Sequence, residues 1–303
     1  MLFEKITPLD FILKDLFHTY LKRVPNVKKI TQAMIDHKMI SSQEEIINDH
    51  IAFRTIGVEQ LGIQSFEKIF LKHGYTKMDA YFFESKKLNA YWYAPPSPEY
   101  PRVFISELRV HDLSETAQKI ISKYTDLVSS DPLDAVNLED AEQIAHFLKT
   151  PLWILPSIED YETLLKESEY AAWVIYNRYY LNHYTISVHE LPAPYNELQN
   201  FNDFLKSIGI KLNNSGGEIK TSADGLLLQS SSVAEQIQAN FQFHKTKYIA
   251  GSYVEFAQRK LLPEYAHLPE EVIKSTHRRE GFEAGNADKI FESTYIEQIN
   301  NNN

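Results

Sequence analysis

The 303-residue chain contains no cysteine. That excludes a disulfide scaffold, a thiolate metal site and a cysteine nucleophile, and it fits a reducing compartment. Positive charge is in deficit: 31 Lys and Arg against 41 Asp and Glu leave a net charge of −10, so neither a nucleic-acid footprint nor a patch for an anionic membrane is expected. No stretch approaches ~18 consecutive apolar residues, so no transmembrane helix is predicted. The start Met1-Leu2-Phe3-Glu4-Lys5 lacks the basic-then-apolar pattern of a secretory signal. Gly216-Gly217 is followed by neither a Lys-Ser ending nor a helix, so it is not a phosphate loop. These absences predict a soluble, cytoplasmic protein without nucleic-acid or membrane partners.

What is present is an ordinary globular composition, with 43% hydrophobic and 24% charged residues, enough for one large domain or two smaller ones. Residues 1–47 read as helical, with Leu9, Ile12, Leu13, Leu16 and Tyr20 at helical spacing and Thr7 and Asp10 as candidate caps. A strand over 50–56 follows, then a helix with Ser65 as its expected N-cap, Phe66, Ile69 and Phe70 in its stripe, and Gly74 at its end. Three strand-like runs come next: Tyr75–Glu84, Leu88–Ala94 and Arg102–Val110. The order over 48–111 is β-α-β-β-β.

Residues 112–180 read as a mostly helical insert, with Trp153, Trp173, Tyr176, Tyr179 and Tyr180 as aromatic core. At Leu181 the pattern restarts. A strand over 181–188 leads to a helix with Leu198, Phe201, Leu205 and Ile208, then to runs at Glu218–Thr221, Gly225–Ser230 and Tyr248–Gln258, with Asp224-Gly225 as a hairpin turn. A second β-α-β-β-β unit over 181–260 is therefore predicted, and 261–303 remains as a C-terminal cap and tail whose last residues, Gln298–Asn303, are expected to fray. An α+β fold follows, with the two units sharing one curved sheet around a metal cavity.

Strand side chains alternate faces, so His50, Ala52 and Arg54 point the same way, as do His183, Thr185 and Ser187. Each half opens on a strand histidine and closes on a strand glutamate, Glu107 or Glu255. Two histidines with one carboxylate suit non-haem Fe(II), although Zn, Ni and Mn accept the same donors. An inward glutamate is costly to bury unpaired, which favours a metal over a chance placement. Lys220, Gln229 and Ser230 are candidate pocket residues on the middle strands of the second half, and the tail His277–Glu283 is placed either over the cavity mouth or on the surface.

Four runs carry a resemblance to the 2-oxoadipate dioxygenase/decarboxylase family of the vicinal oxygen chelate superfamily: Asn48-Asp49-His50-Ile51-Ala52-Phe53-Arg54-Thr55, Leu181-Asn182-His183, the run from Leu212 to Ser231, and the run from Gly251 to Arg259. The chain resembles the compact form of that family, without the extra segments of longer members. The resemblance implies Fe(II) held by His50, His183 and Glu255, with Glu107 a less favoured fourth ligand. It implies that Arg54 binds substrate, as the candidate catalytic residue; His50, Glu255, Gln229 and Ser230 are taken from their strand positions as further candidate substrate contacts. It further implies conversion of a 2-oxo dicarboxylic acid (2-oxoadipate, from lysine breakdown) and O2 to 2-hydroxyglutarate and CO2. Two alternatives are kept: a glyoxalase-type isomerase or hydrolase using Glu107 with Ni or Zn, and a non-catalytic module that binds small acids.

Overall fold

A computed structural model describes residues 7–300; the start at Met1–Lys5 and the tail residues Asn301–Asn303 lie outside the described residues. Thr7 and Asp10 form the reciprocal capping box of helix α1 (Pro8–Arg23), and α2 (Pro25–Asp36) follows at Pro25. The first unit consists of β1 (Asn48–Ile56), α3 (Ile63–Lys72), β2 (Thr76–Phe83), β3 (Leu88–Ala94) and β4 (Arg102–Leu108). Helices α4 (Glu115–Thr125), α5 (Ala141–Lys149), α6 (Ile158–Glu167) and α7 (Glu169–Asn177) make up the insert. The second unit consists of β5 (His183–Ser187), α8 (Leu198–Ser207), β6 (Lys220–Thr221), β7 (Leu227–Ser231) and β10 (Tyr253–Arg259), with a separate hairpin, β8 (Gln236–Asn240) and β9 (Thr246–Ala250), inserted before its last strand. The run read as one strand over Tyr248–Gln258 is thus two, broken at Gly251-Ser252.

Both units lie in one eight-stranded sheet of order β2-β3-β4-β1-β5-β10-β7-β6. In each half the first and last strands are parallel neighbours, β1 with β4 and β5 with β10, and the halves join through the antiparallel β1–β5 pair. The order on one side of that junction repeats on the other. The two helices also cover the same face of the sheet: Phe53 of β1 packs on Phe66 of α3 at 4.8 Å between ring centroids, and Phe256 of β10 packs on Phe201 of α8 at 5.4 Å.

The opposite, concave face carries His50, His183 and Glu255, and the C-terminal segment closes it. Helix α9 (Ala284–Phe291) touches β2 and β6, the two edge strands of the sheet. Lys86 pairs with Asp288 and Glu292, and Asn286 donates to Gln229, so the segment is tied to both halves. Gln298 in α10 (Ile296–Asn300) is buried and accepts the Asn214 N–H, so the expected fraying does not begin there. Helix α3 also starts earlier than expected. Its N-cap is Gly62 rather than Ser65, and the Glu107 carboxylate accepts the Ile63 N–H at 2.6 Å.

Candidate metal centre

Paired strands place their partners' side chains on the same face. His183 stands beside Tyr253, and Thr185 beside Glu255, with Ala52 of β1 opposite His183. His50 Nε2 and His183 Nε2 are 3.4 Å apart; Glu255 Oε1 lies 3.5 Å from the first, and its Oε2 lies 3.0 Å from the second. One ligand atom from each of the three residues can be chosen so that all lie within 4.8 Å of one another, and all three side chains are buried.

The ring tautomers follow from the next shell of contacts. His50 Nδ1 is 2.8 Å from the Asp49 carboxylate and His183 Nδ1 is 3.0 Å from the Asn182 carbonyl oxygen. Both partners are acceptors there, so each Nδ1 carries its hydrogen and each Nε2 lone pair faces inward. Two imidazole lone pairs and a carboxylate then converge, an arrangement of acceptors that is unfavourable unless a cation joins them. Imidazole nitrogens bonded at about 2.1 Å, with roughly 90 to 109° between them, lie about 3.0 to 3.4 Å apart, and the observed separation falls in that range. The donor set therefore fits a metal ion.

Without a cation, protons take its place: burial opposes a charge on Glu255, but protonated imidazoles, with a hydrogen on Nε2 that the carboxylate accepts, outweigh it and hold the carboxyl well below the usual range. Burial likewise opposes protonation of His50, yet Glu255 and Asp49 together raise its pKa, whereas for His183 burial wins and the pKa is lowered. Asp49 is itself buried, a cost overcome by Arg259 and Arg102, which hold it ionised. Arg259 forms a two-pronged pair with Asp49, at 2.6 and 2.9 Å, and donates to the Gly281 and Arg279 carbonyls of the C-terminal segment.

Gln229 Nε2 donates to Glu255 Oε1 at 2.7 Å, and Thr185 Oγ1 stands 3.1 Å from His50 Nε2. Tyr253 stacks on His183 with 4.7 Å between centroids, and Phe282 meets His50 edge-on at 4.8 Å. With Phe104, Phe282, Ala287, Ile290 and Phe291 these side chains line a cavity of only about 20 Å³, room for roughly one water. Of the tail over 277–283, Phe282 forms part of the wall of this cavity, whereas Arg278 and Glu280 line a separate cleft with Asp49, Arg102 and Arg259.

Arg54 is almost fully buried and lies against Tyr170, Trp173 and Phe291, at 5.0, 5.1 and 5.7 Å from their ring centroids. Its terminal nitrogens donate to Thr294 Oγ1 and to the Phe291 carbonyl, both at 3.0 Å, and the Tyr253 hydroxyl lies beside the guanidinium. Among the described residues no carboxylate pairs with it within 4 Å.

Two expected residues lie elsewhere. Glu107 is aligned with Thr55, one step out of phase with His50 and Arg54, and so points to the helix-covered face to cap α3. That removes the four-ligand arrangement on which an isomerase or hydrolase with Glu107 depended. Ser230 is opposite Phe256 and donates to Asn202 of α8 at 2.7 Å, again on the helix face. Lys220 shares the concave face with Gln229, but its ammonium donates to the Asn213 carbonyl, and burial lowers its pKa to about 8.

Sequence reasoning missed Asp49, Asn182, Tyr253, Arg259 and Phe282. The signal for the first two was available as a hydrogen-bond acceptor immediately before each strand histidine. Tyr253 and Arg259 were marked by parity with Glu255 along β10.

A family model described as 2-oxoadipate dioxygenase/decarboxylase matches residues 12–274 of the chain. The chain is 43% identical over 299 residues to the chloroplastic 2-oxoadipate dioxygenase/decarboxylase of Arabidopsis thaliana, covering 95% of this chain and 78% of that protein. The structure of hydroxyglutarate synthase from Oryza sativa, solved in complex with 2-oxoadipate, superposes with a TM-score of 0.87 at 39% identity, over 95% of this chain and 92% of that one. A protein from Ralstonia eutropha JMP134, described as of the glyoxalase superfamily, shares the fold at a TM-score of 0.71 and 21% identity, over 93% and 88% of the two chains.

Proposed function

The chain belongs to the 2-oxoadipate dioxygenase/decarboxylase family, and on that premise we propose that it is an Fe(II)-dependent enzyme converting 2-oxoadipate and O2 to 2-hydroxyglutarate and CO2 in lysine breakdown. The atoms balance without a second co-substrate, because the keto acid that loses CO2 is also the acid that gains the hydroxyl. The observation that carries the reading is the buried His50, His183 and Glu255 group beside a buried arginine without a carboxylate partner.

His50, His183 and Glu255 would hold the metal, and this ligand set leaves coordination positions for a 2-oxo acid and O2, with iron supplying the activation of O2. Asp49 and Asn182 keep each imidazole turned with Nε2 inward. Gln229 holds Glu255 in place through Oε1. Arg54 supplies a charge-assisted donor to the substrate carboxylate away from the metal and so orients the chain of the acid. Phe104, Phe282 and Phe291 exclude water, which limits diversion of reactive oxygen species. The cavity is too small for a six-carbon acid as it stands, so Phe282 and α9 must move to admit substrate. No helix among the described residues is long and apolar enough to cross a membrane, and the Arabidopsis relative is chloroplastic by name.

The test is anaerobic reconstitution with Fe(II), followed by addition of 2-oxoadipate and air. Equimolar O2 uptake and CO2 release with 2-hydroxyglutarate as product are expected; no uptake with any 2-oxo acid sinks the reading. Arg54→Ala is expected to bind Fe(II) as wild type does while KM for 2-oxoadipate rises about ten- to a hundredfold, the loss typical of a hydrogen bond to a charged group.

A further inference from the structure

The carboxylate of Glu255 is reached by a chain of hydrogen bonds that begins on the C-terminal segment. Gln229 Nε2 donates to Glu255 Oε1, the oxygen that faces His50 Nε2, and Gln229 Oε1 accepts from Asn286 Nδ2 at 3.0 Å. Asn286 stands in the first turn of α9, the helix that covers the cavity. Asn286, Gln229 and Glu255 are all buried. The direction of the chain is fixed chemically. Asn286 Nδ2 also lies 3.3 Å from the Lys220 and Leu227 carbonyls, which only accept, so its N–H end faces the sheet. Gln229 must then present its oxygen to Asn286 and its N–H to Glu255. Without Asn286, the Gln229 oxygen is buried and unpaired, and nothing at that end specifies which way round the amide sits. Ala287, Ile290 and Phe291 of the same helix line the cavity, whereas Asn286 does not.

We propose that Asn286 is a positioning residue that couples the seating of α9 to the metal centre, so that Glu255 is fixed in its ligand geometry only while α9 covers the cavity. Admitting a six-carbon acid requires α9 to move, and Asn286 moves with it. The open protein then has a looser carboxylate, and the ligand set is completed as substrate is enclosed. Linkage makes the coupling reciprocal, so α9 is held down more firmly when the site is loaded. The inference rests on the metal centre in the functional reading above and not on the reaction assigned to it.

Anaerobic calorimetry with Fe(II) and hydrogen exchange of the α9 amides test it. Gln229→Met is expected to weaken Fe(II) binding about 10- to 100-fold, the usual cost of an outer partner. Asn286→Ala, one bond further out, should weaken it about three- to tenfold. The double variant should bind Fe(II) no worse than Gln229→Met, because Asn286 acts through Gln229. In wild type, Fe(II) should slow exchange over 284–291 relative to the β8–β9 hairpin, which lies outside the main sheet, and either single substitution should abolish that difference. A merely structural role predicts a lowered melting temperature in Asn286→Ala with wild-type Fe(II) affinity. That result overturns the inference, as do additive losses in the double variant. Should Asn286→Ala not fold, Asn286→Asp keeps the side-chain shape and offers Gln229 an acceptor where a donor stood; wild-type Fe(II) affinity in that variant overturns the inference equally. Wild-type protein that takes up no Fe(II) overturns the metal centre with it, whereas Fe(II) uptake without turnover of any 2-oxo acid sinks the assigned reaction alone.

Discussion

The two halves of the sheet present their histidines alike and support them differently. In the first half the acceptor behind His50 is a carboxylate, Asp49, gripped by Arg259 and approached by Arg102 at 3.6 Å. In the second half the acceptor behind His183 is the neutral amide of Asn182, whose own nitrogen has no partner among the described residues. A carboxylate behind an imidazole raises its basicity as a ligand more than an amide does. Duplication supplied two equivalent positions, and only one of them acquired an anchored charge. The same charge ties the C-terminal segment down, because Arg259 also holds the Gly281 carbonyl beside Phe282. Metal-ligand tuning and closure of the cavity therefore share one arginine.

That asymmetry can be broken at several depths. Removing a ligand acts most strongly: His50→Ala and His183→Ala are each expected to lower Fe(II) affinity more than about a hundredfold, beyond the 10- to 100-fold cost of losing an outer partner, as read by anaerobic calorimetry. Removing the supports should separate the halves. Asp49→Asn is expected to cost about 10- to 100-fold in Fe(II) affinity. Asn182→Ala should cost less than about tenfold, because it deletes a neutral partner; equal losses would erase the distinction. Arg259→Ala leaves Asp49 buried with Arg102 as its remaining cation, so chemical denaturation should show about 3–5 kcal/mol of lost stability and metal titration a loss in the direction of Asp49→Asn.

The smallest effect concerns the contact that docks the tail on the insert. Glu169 accepts the Ile296 N–H at 2.8 Å, and burial raises its pKa to about 7. Unfolded, it ionises near ~4.3. The folded chain binds this proton more tightly, so the stabilisation is complete below the unfolded pKa and is lost as pH rises through about 7. Glu169→Gln keeps an acceptor oxygen without the charge. Its melting temperature should exceed wild type at pH 8 and approach it near pH 5; a pH-independent difference contradicts the assignment.

How far the sequence discloses this site depends on the range of the contact. His50, His183 and Glu255 were readable because strand parity and internal repetition are local patterns that recur. The same parity excludes Ser230 once Gln229 faces the cavity, since neighbours on one strand cannot share a face. Glu107 is different. Its phase is set by the parallel pairing of β1 with β4, a register that neither strand states alone. The wrapping of the C-terminal segment was the least legible part: the Arg54 bond to Thr294 spans 240 residues, and nothing near either residue encodes it. The inserted β8–β9 hairpin merged with the following strand for a related reason, since only Gly251-Ser252 separates two runs of similar composition.

The central claim is that one acid serves as both the keto acid that is decarboxylated and the carbon chain that is hydroxylated. Turnover of 2-oxoadipate under 18O2, with the product resolved by mass spectrometry, tests it most directly. The account predicts 2-hydroxyglutarate carrying both labelled oxygen atoms, one in the new carboxylate and one in the hydroxyl. Product whose hydroxyl oxygen comes from water, or a decarboxylated acid with no hydroxyl at all, would contradict it.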